Sequence, residues 1–200
     1  DGYIKGDFNN GVKFGQPVIV NSNSIIMRNT DNEWVAMPGL TGTVNDLAVG
    51  QDGKIWAVGN FSNRIAYWNG SSWVLPMGIT PNGEVKTIAI APDGSIYIGG
   101  SFTMIGAQTF NRIAKIGRYG AGATVLGAGL NNTVNALEID AYGNVIVGGA
   151  FTTAGGVNSY RVAVWDTINN TWQTCGTSLT SGVVNDICWW HENTYILGGG

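Results

Sequence analysis

Charge is scarce in this chain: 10 Lys and Arg and 13 Asp and Glu among 200 residues, a net charge of −3. So small a basic complement provides no field for a phosphate backbone, and nucleic acid is excluded as a partner. Histidine is nearly absent. The one histidine, His191, stands beside Glu192 in an expected turn, where a nucleophilic relay would find no cleft. Two cysteines, Cys175 and Cys188, lack Cys-x-x-Cys spacing, so neither a disulfide framework nor a zinc site is indicated, and two buried thiols are expected. No apolar run reaches the roughly 18 residues that span a bilayer, so membrane insertion is not expected. Apolar residues spaced i, i+3, i+4, i+7 are missing too, which removes helix as a major component. With no initiator Met and no leader pattern, the chain reads as a mature or excised piece.

What is abundant is glycine, 31 residues against 5 prolines, in a chain that is 44% hydrophobic and therefore able to build a core. Short β-forming runs alternate with tight-turn residues, most legibly from Val134 to Leu179, and the same paragraph is written several times. A first strand recurs as TVNDLAV from Thr43, EVKTIAI from Glu84, TVNALEI from Thr133 and VVNDICW from Val183. Its equivalent Val44, Val85, Val134 and Val184 are 41, 49 and 50 residues apart. A second strand recurs as YIKGDF from Tyr3, IWAVGNF from Ile55, IYIGGSF from Ile96, VIVGGAF from Val145 and YILGGG from Tyr195. The turn between them is Asp52-Gly53, Asp93-Gly94, Tyr142-Gly143 and Glu192-Asn193, each ending on a residue that tolerates positive φ. Third strands open at Ser24, Arg64, Arg112 and Arg161, and fourth strands centre on Trp34, Trp73 and Trp172. The third unit has the Trp-free GAGATVLGAG instead.

Four strands repeated every 40 to 50 residues predict an all-β chain, a β-propeller of four-stranded antiparallel blades with about four blades present. The expected units are 1–42, 43–83, 84–132, 133–182 and a partial 183–200, forming one domain. Seventeen strands are counted where four closed blades need sixteen, and the surplus is assigned to a longer array in preference to competition for the slot of the Tyr3 strand. Gly-Gly-x-Phe-Thr followed by Asn-Arg-Ile-Ala, read from Gly99 to Ile113 and more loosely from Gly148 to Val162, resembles kelch-like propeller repeats. More narrowly it is similar to repeats of bacterial surface proteins and of phage tail or other virion proteins. The resemblance implies a scaffold in an extracellular, cell-surface or virion setting. It does not choose among enzymes, receptors and scaffolds, because propellers host all three.

In a propeller the loops from second to third strand share one face. Their spans, from Phe8 to Ile25, Phe61 to Ile65, Phe102 to Ile113 and Phe151 to Val162, are 17, 4, 11 and 11 residues. Variable length on a regular scaffold marks a binding face. Phe14, Phe110 and Tyr160 lie in or at the ends of the longer loops and are the candidate ligand-binding aromatics, for a sugar ring or a protein partner, the alternative being that each folds down to cap its own blade. Arg64, Arg112 and Arg161 recur at one internal position, as structural arginines tied to a neighbouring carbonyl or carboxylate would, the alternative being a ring of arginines that clamps ligand carboxylates. Asp46 and Asp186 share a first-strand position and are expected to be hydrogen-bonded within the fold, while Glu138 and Asp140 form an i, i+2 pair in one unit only. Trp189 and Trp190 are expected between blades, and Asn-x-Ser/Thr sequons begin at Asn60, Asn69, Asn131 and Asn169. The reading is a non-enzymatic module that binds protein or surface glycan, with no catalytic residue, metal site or cofactor. A carbohydrate-processing enzyme and an intracellular kelch-type adaptor are the alternatives.

Overall fold

The computed structural model describes residues 25–28, 31–174, 181–191 and 194–200. The strand at Tyr3, the segment from Asn9 to Asn23, Phe14, Cys175 and the turn residues Glu192 and Asn193 lie outside them, as do the side chains of Trp189, Trp190 and His191. Among the described residues no helix is long and apolar enough to cross a membrane.

β1 (Ile25–Arg28) pairs antiparallel with β2 (Trp34–Met37). A four-stranded sheet follows, β3 (Gly42–Val49), β4 (Ile55–Phe61), β5 (Ile65–Trp68) and β6 (Trp73–Val74), each strand beside its predecessor. The next contains β7 (Val85–Ile90) and β8 (Ile96–Gly100); a small hairpin of β9 (Met104–Ile105) and β10 (Gln108–Thr109) intervenes before β11 (Ile113–Gly117) and β12 (Ala121–Thr124) complete it. A third repeats that plan with β13 (Val134–Ile139), β14 (Val145–Gly149), the hairpin β15 (Thr153–Ala154) and β16 (Val157–Asn158), then β17 (Val162–Asp166) and β18 (Thr171–Thr174). β19 (Val184–His191) and β20 (Thr194–Gly199) pair as a two-stranded sheet. Three complete blades thus stand between two two-stranded sheets, and the first strands β3, β7, β13 and β19 pack side by side in sequence. That is a β-propeller with its first strands innermost.

The core lies between blades. One cluster joins Trp56, Val58 and Ile65 of the first full blade to Ile88, Ile98 and Phe102 of the second, and another joins Tyr97 and Ile113 to Val145, Phe151 and Trp165 of the third. Each first strand carries a β-bulge after its Val, at Val44/Asp46, Val85/Thr87, Val134/Ala136 and Val184/Asp186. The extra residue leaves the ladder, and in two of the four, Asn45 and Asn135, it reaches the next blade. Asn45 Nδ2 donates to the Val85 carbonyl at 2.9 Å, and Asn135 Nδ2 to that of Val184 at 3.0 Å. On the outer strands Trp73 Nε1 donates to the Met37 carbonyl at 3.3 Å and Trp172 Nε1 to that of Leu126 at 2.9 Å. The repeated Trp of the fourth strand therefore ties its blade to the preceding one.

The turns behave as their glycines imply. Gly53, Gly94 and Gly143 have φ of 76°, 83° and 84°, and their N–H groups donate to Gly50, Ala91 and Asp140, which makes a type I turn closed by a left-handed glycine. Cys188, expected buried, is exposed, because it stands on the face of β19 opposite the buried Ile187.

Candidate ligand-binding cleft

The face of long loops is more tightly tied than the sequence suggests. Both 11-residue connections fold into the β9–β10 and β15–β16 hairpins, and an asparagine from the incoming connection grips each one. Asn82 Oδ1 accepts from the backbone N–H groups of Thr103 at 2.8 Å and Met104 at 3.0 Å, while its Nδ2 donates to Thr103 Oγ1 at 3.0 Å. Asn131 repeats this on Thr152 and Thr153. The blade whose loop is only four residues long has Thr41 at the corresponding place and no hairpin to hold. Asn82→Ala should strand two backbone donors and cost about 1–2 kcal/mol. Faster amide exchange at Thr103 and Met104 is the readout; unchanged exchange would mean that the clamp holds nothing.

Phe110 is corrected by this arrangement. It is 3% exposed and packs with Ile105, Ile79 and Phe102, so it plugs its own blade and offers no surface to a ligand. Tyr160 remains half-exposed, and Phe14 lies outside the described residues. The recurring arginines are structural. Arg64, Arg112 and Arg161 have φ of 63°, 76° and 70° at the bend into the third strand, and their guanidinium groups donate to the carbonyls of Pro81, Ser101 and Ala150.

The acidic candidates are also held in the framework. Asp46 Oδ2 accepts from Thr87 Oγ1 at 3.1 Å and the Ile88 N–H at 3.0 Å on the next blade, and its Oδ1 takes the Leu47 N–H at 2.8 Å. Thr87 Oγ1 in turn accepts from the Leu137 N–H at 3.2 Å, so a belt of polar contacts links three blades near the axis. Asp186 Oδ1 accepts from the Ile187 N–H at 2.9 Å. Asp140 is not aimed at a substrate with Glu138; it caps the hairpin turn by accepting from Tyr142 and Asn144. Among the described residues no three His, Cys, Asp or Glu side chains converge as a metal set.

A cleft of about 200 Å³ opens on the opposite face, between the first and second full blades. Gly50, Gln51 and Asp52 of one hairpin turn and Gly94 of the next form its sides, Trp56, Ile90 and Ile96 its apolar floor, and Arg118 and Tyr119 its rim. Arg118 and Tyr119 come from a short 3₁₀ turn, Arg118–Gly120, in the unit that lacks the fourth-strand Trp. There the ladder slips between Ile116 and Gly117, and Gly120 lies against Pro76 and Trp56 of the neighbouring blade, where a Cβ would come within 2.9 and 3.2 Å. Beside this contact Tyr119 adopts a left-handed conformation, φ 61° and ψ 18°, with 58% of its surface exposed. An aromatic at positive φ is strained, and such strain persists where the surroundings impose it and collects at functional sites.

Cations surround the ring. Lys54 Nζ lies 4.7 Å and the Arg118 guanidinium 5.6 Å from the Tyr119 centroid. Lys54 also pairs with Asp52 at 2.6 Å, which raises the Lys54 pKa. Burial pushes the Asp93 carboxyl up, but bonds from the Ser95 N–H and hydroxyl, with Lys115 and Arg118 nearby, outweigh it and leave the group below the ordinary carboxylate range. Arg118 passes close over this turn, where a Cβ on residue 94 would sit 2.9 Å from Arg118 Nε. The sequence points to the other face, through the unequal length of its loops and the aromatics Phe14, Phe110 and Tyr160. The sequence feature that coincides with this cleft is the Arg118-Tyr119-Gly120 departure in the Trp-free unit.

The comparisons agree on the architecture. Residues 121–200 match the Rax2 C-terminal β-propeller domain, and residues 91–117 match a β-propeller domain of unknown function. No curated protein matches the sequence significantly. Among solved structures, the extracellular domain of BT4673 from B. thetaiotaomicron superposes with a TM-score of 0.61 at 15% identity over 88% of this chain and 24% of that one. The WD40 β-propeller domain of Doa1 does so with a TM-score of 0.58 at 15% identity, over 82% of this chain and 50% of that one. The chain therefore spans half or less of these relatives' lengths, and at such identity the likeness is one of fold. The chain is a run of β-propeller blades.

Proposed function

We propose that these blades form a non-enzymatic binding module in an extracellular, cell-surface or virion assembly, of kelch-like repeat type, recognising protein or surface glycan. The observation that carries the reading is Tyr119, a strained and exposed aromatic at the rim of an inter-blade cleft floored by Trp56. Support comes also from the carboxylates, since Asp46, Asp52, Asp93 and Asp140 all accept hydrogen bonds from their own framework. The extracellular domain among the structural neighbours supports the setting. Function in this reading is rigid display: stiff blades hold a turn residue in a conformation that costs energy, and the ligand meets a surface already organised.

The test is binding to immobilised glycan and protein panels by the intact chain, by Tyr119→Ala and by Tyr160→Ala. Tyr119→Ala should lose about tenfold or more in affinity, the cost of truncating one aromatic anchor, while Tyr160→Ala stays near the parent. The reverse order would return the binding face to the long loops. Glycoside turnover that disappears in Asp46→Ala, Asp186→Ala or Glu138→Ala would instead establish the enzyme.

A further inference from the structure

We infer that the cleft between the first two full blades accepts a carboxylate-bearing sugar, a uronic-acid unit, with the carboxylate on Arg118 and the ring against Tyr119. This rests on the binding-module reading and names the ligand class for that site. Size comes first. A cleft of about 200 Å³ is below the roughly 300–1,000 Å³ of pockets that enclose drug-sized ligands, so it seats one ring-sized unit and leaves the rest of a chain in solvent.

Charge comes second. The charged groups around the cleft are Asp52, Lys54, Asp93, Lys115 and Arg118, a local excess of one positive charge in a chain whose net charge is −3. The two carboxylates are already committed, Asp52 to Lys54 and Asp93 to Ser95. Arg118 is different: among the described residues its guanidinium lies over Tyr119 and near Asp93 without a hydrogen bond of its own. A planar fork of unused donors at a cleft rim matches the two oxygens of a carboxylate.

Shape comes third. Tyr119 keeps 58% of its surface exposed beside Lys54 and Arg118, and that exposed part is the flat apolar body offered to the C–H face of a pyranose, while the Gly50 and Gly94 turns bring backbone to the cleft beside it. An acidic peptide would satisfy Arg118 equally well but has no use for an aromatic wall beside a ring-sized recess, so the sugar acid is the better fit.

Glucuronate and methyl glucoside are the probes, added to the intact chain while its backbone amide resonances are followed. They share a ring and differ in the carboxylate. Glucuronate should shift the amides of Gly50, Gly94 and Tyr119 with a dissociation constant of about 1 mM, and methyl glucoside should bind about tenfold more weakly. Arg118→Gln should erase that preference. Tyr119→Gly, which the positive φ accommodates, should weaken both sugars in a protein whose melting temperature has not fallen. Equal binding of the two probes, unaffected by Arg118→Gln, would overturn the carboxylate assignment and leave the glycan reading standing. Silence of all three amides toward both probes would overturn the sugar site, and the panel result for Tyr119→Ala would then show separately whether the cleft binds protein.

Discussion

Gly149→Ala is expected to lower the melting temperature by roughly 6–12 °C, corresponding to about 3 kcal/mol at 2–4 °C per kcal/mol for a chain of this size. The residue is the second glycine of the Gly-Gly motif and lies opposite the bulge in β13. A Cβ there would come within 2.2 Å of the Thr133 carbonyl oxygen, a backbone atom that cannot swing aside. The same collision recurs at Gly59 with Thr43, at Gly100 with Glu84 and at Gly199 with Val183, so this glycine belongs to the repeat and not to a ligand site. Gly148→Ala provides the control. Its Cβ would meet the Val184 side chain, Cγ1 at 2.5 Å, and a side chain can turn, so a smaller loss of about 1–2 kcal/mol is expected. Equal melting temperatures for the two variants would show that the bulge and its close approach are wrongly placed.

Asp46→Ala should destabilise by about 2–4 kcal/mol, because it removes one acceptor from three donors at once. The N–H of Ile88, whose residue is 4% exposed, loses its partner, and so do Thr87 Oγ1 and the Leu47 N–H. Asp46→Asn keeps an oxygen of the same reach and should recover half or more of the loss. Thr87→Val, which removes the next link while preserving volume, should couple to Asp46→Ala in a double-mutant cycle, since both act on one inter-blade belt. Strict additivity, or an Asp46→Asn variant as weak as the alanine, would place the stabilisation elsewhere.

Much of the fold is legible in the residues alone. Val44, Val85, Val134 and Val184 announced the period, and the Asp-Gly pairs announced the hairpins. Arginine at the head of three third strands announced a structural bond, now seen to Pro81, Ser101 and Ala150. These features are local or strictly repeated. A backbone that needs positive φ or an alternating face imposes its demand within a few residues, and repetition multiplies the signal.

The site was less legible. Phe110 looked like a loop aromatic but is core, because the loop folds into a hairpin under the grip of Asn82, 28 residues earlier in the chain. Nothing in the local pattern around Tyr119 says that Gly120 will rest on Pro76 and Trp56, or that Lys54 will lie over its ring. Strand order, turn chemistry and blade composition were written in the residues, because each depends on neighbours along the chain. The cleft and the direction of Phe110 were settled only when blades met, because those depend on contacts between residues far apart in the chain that no local preference records.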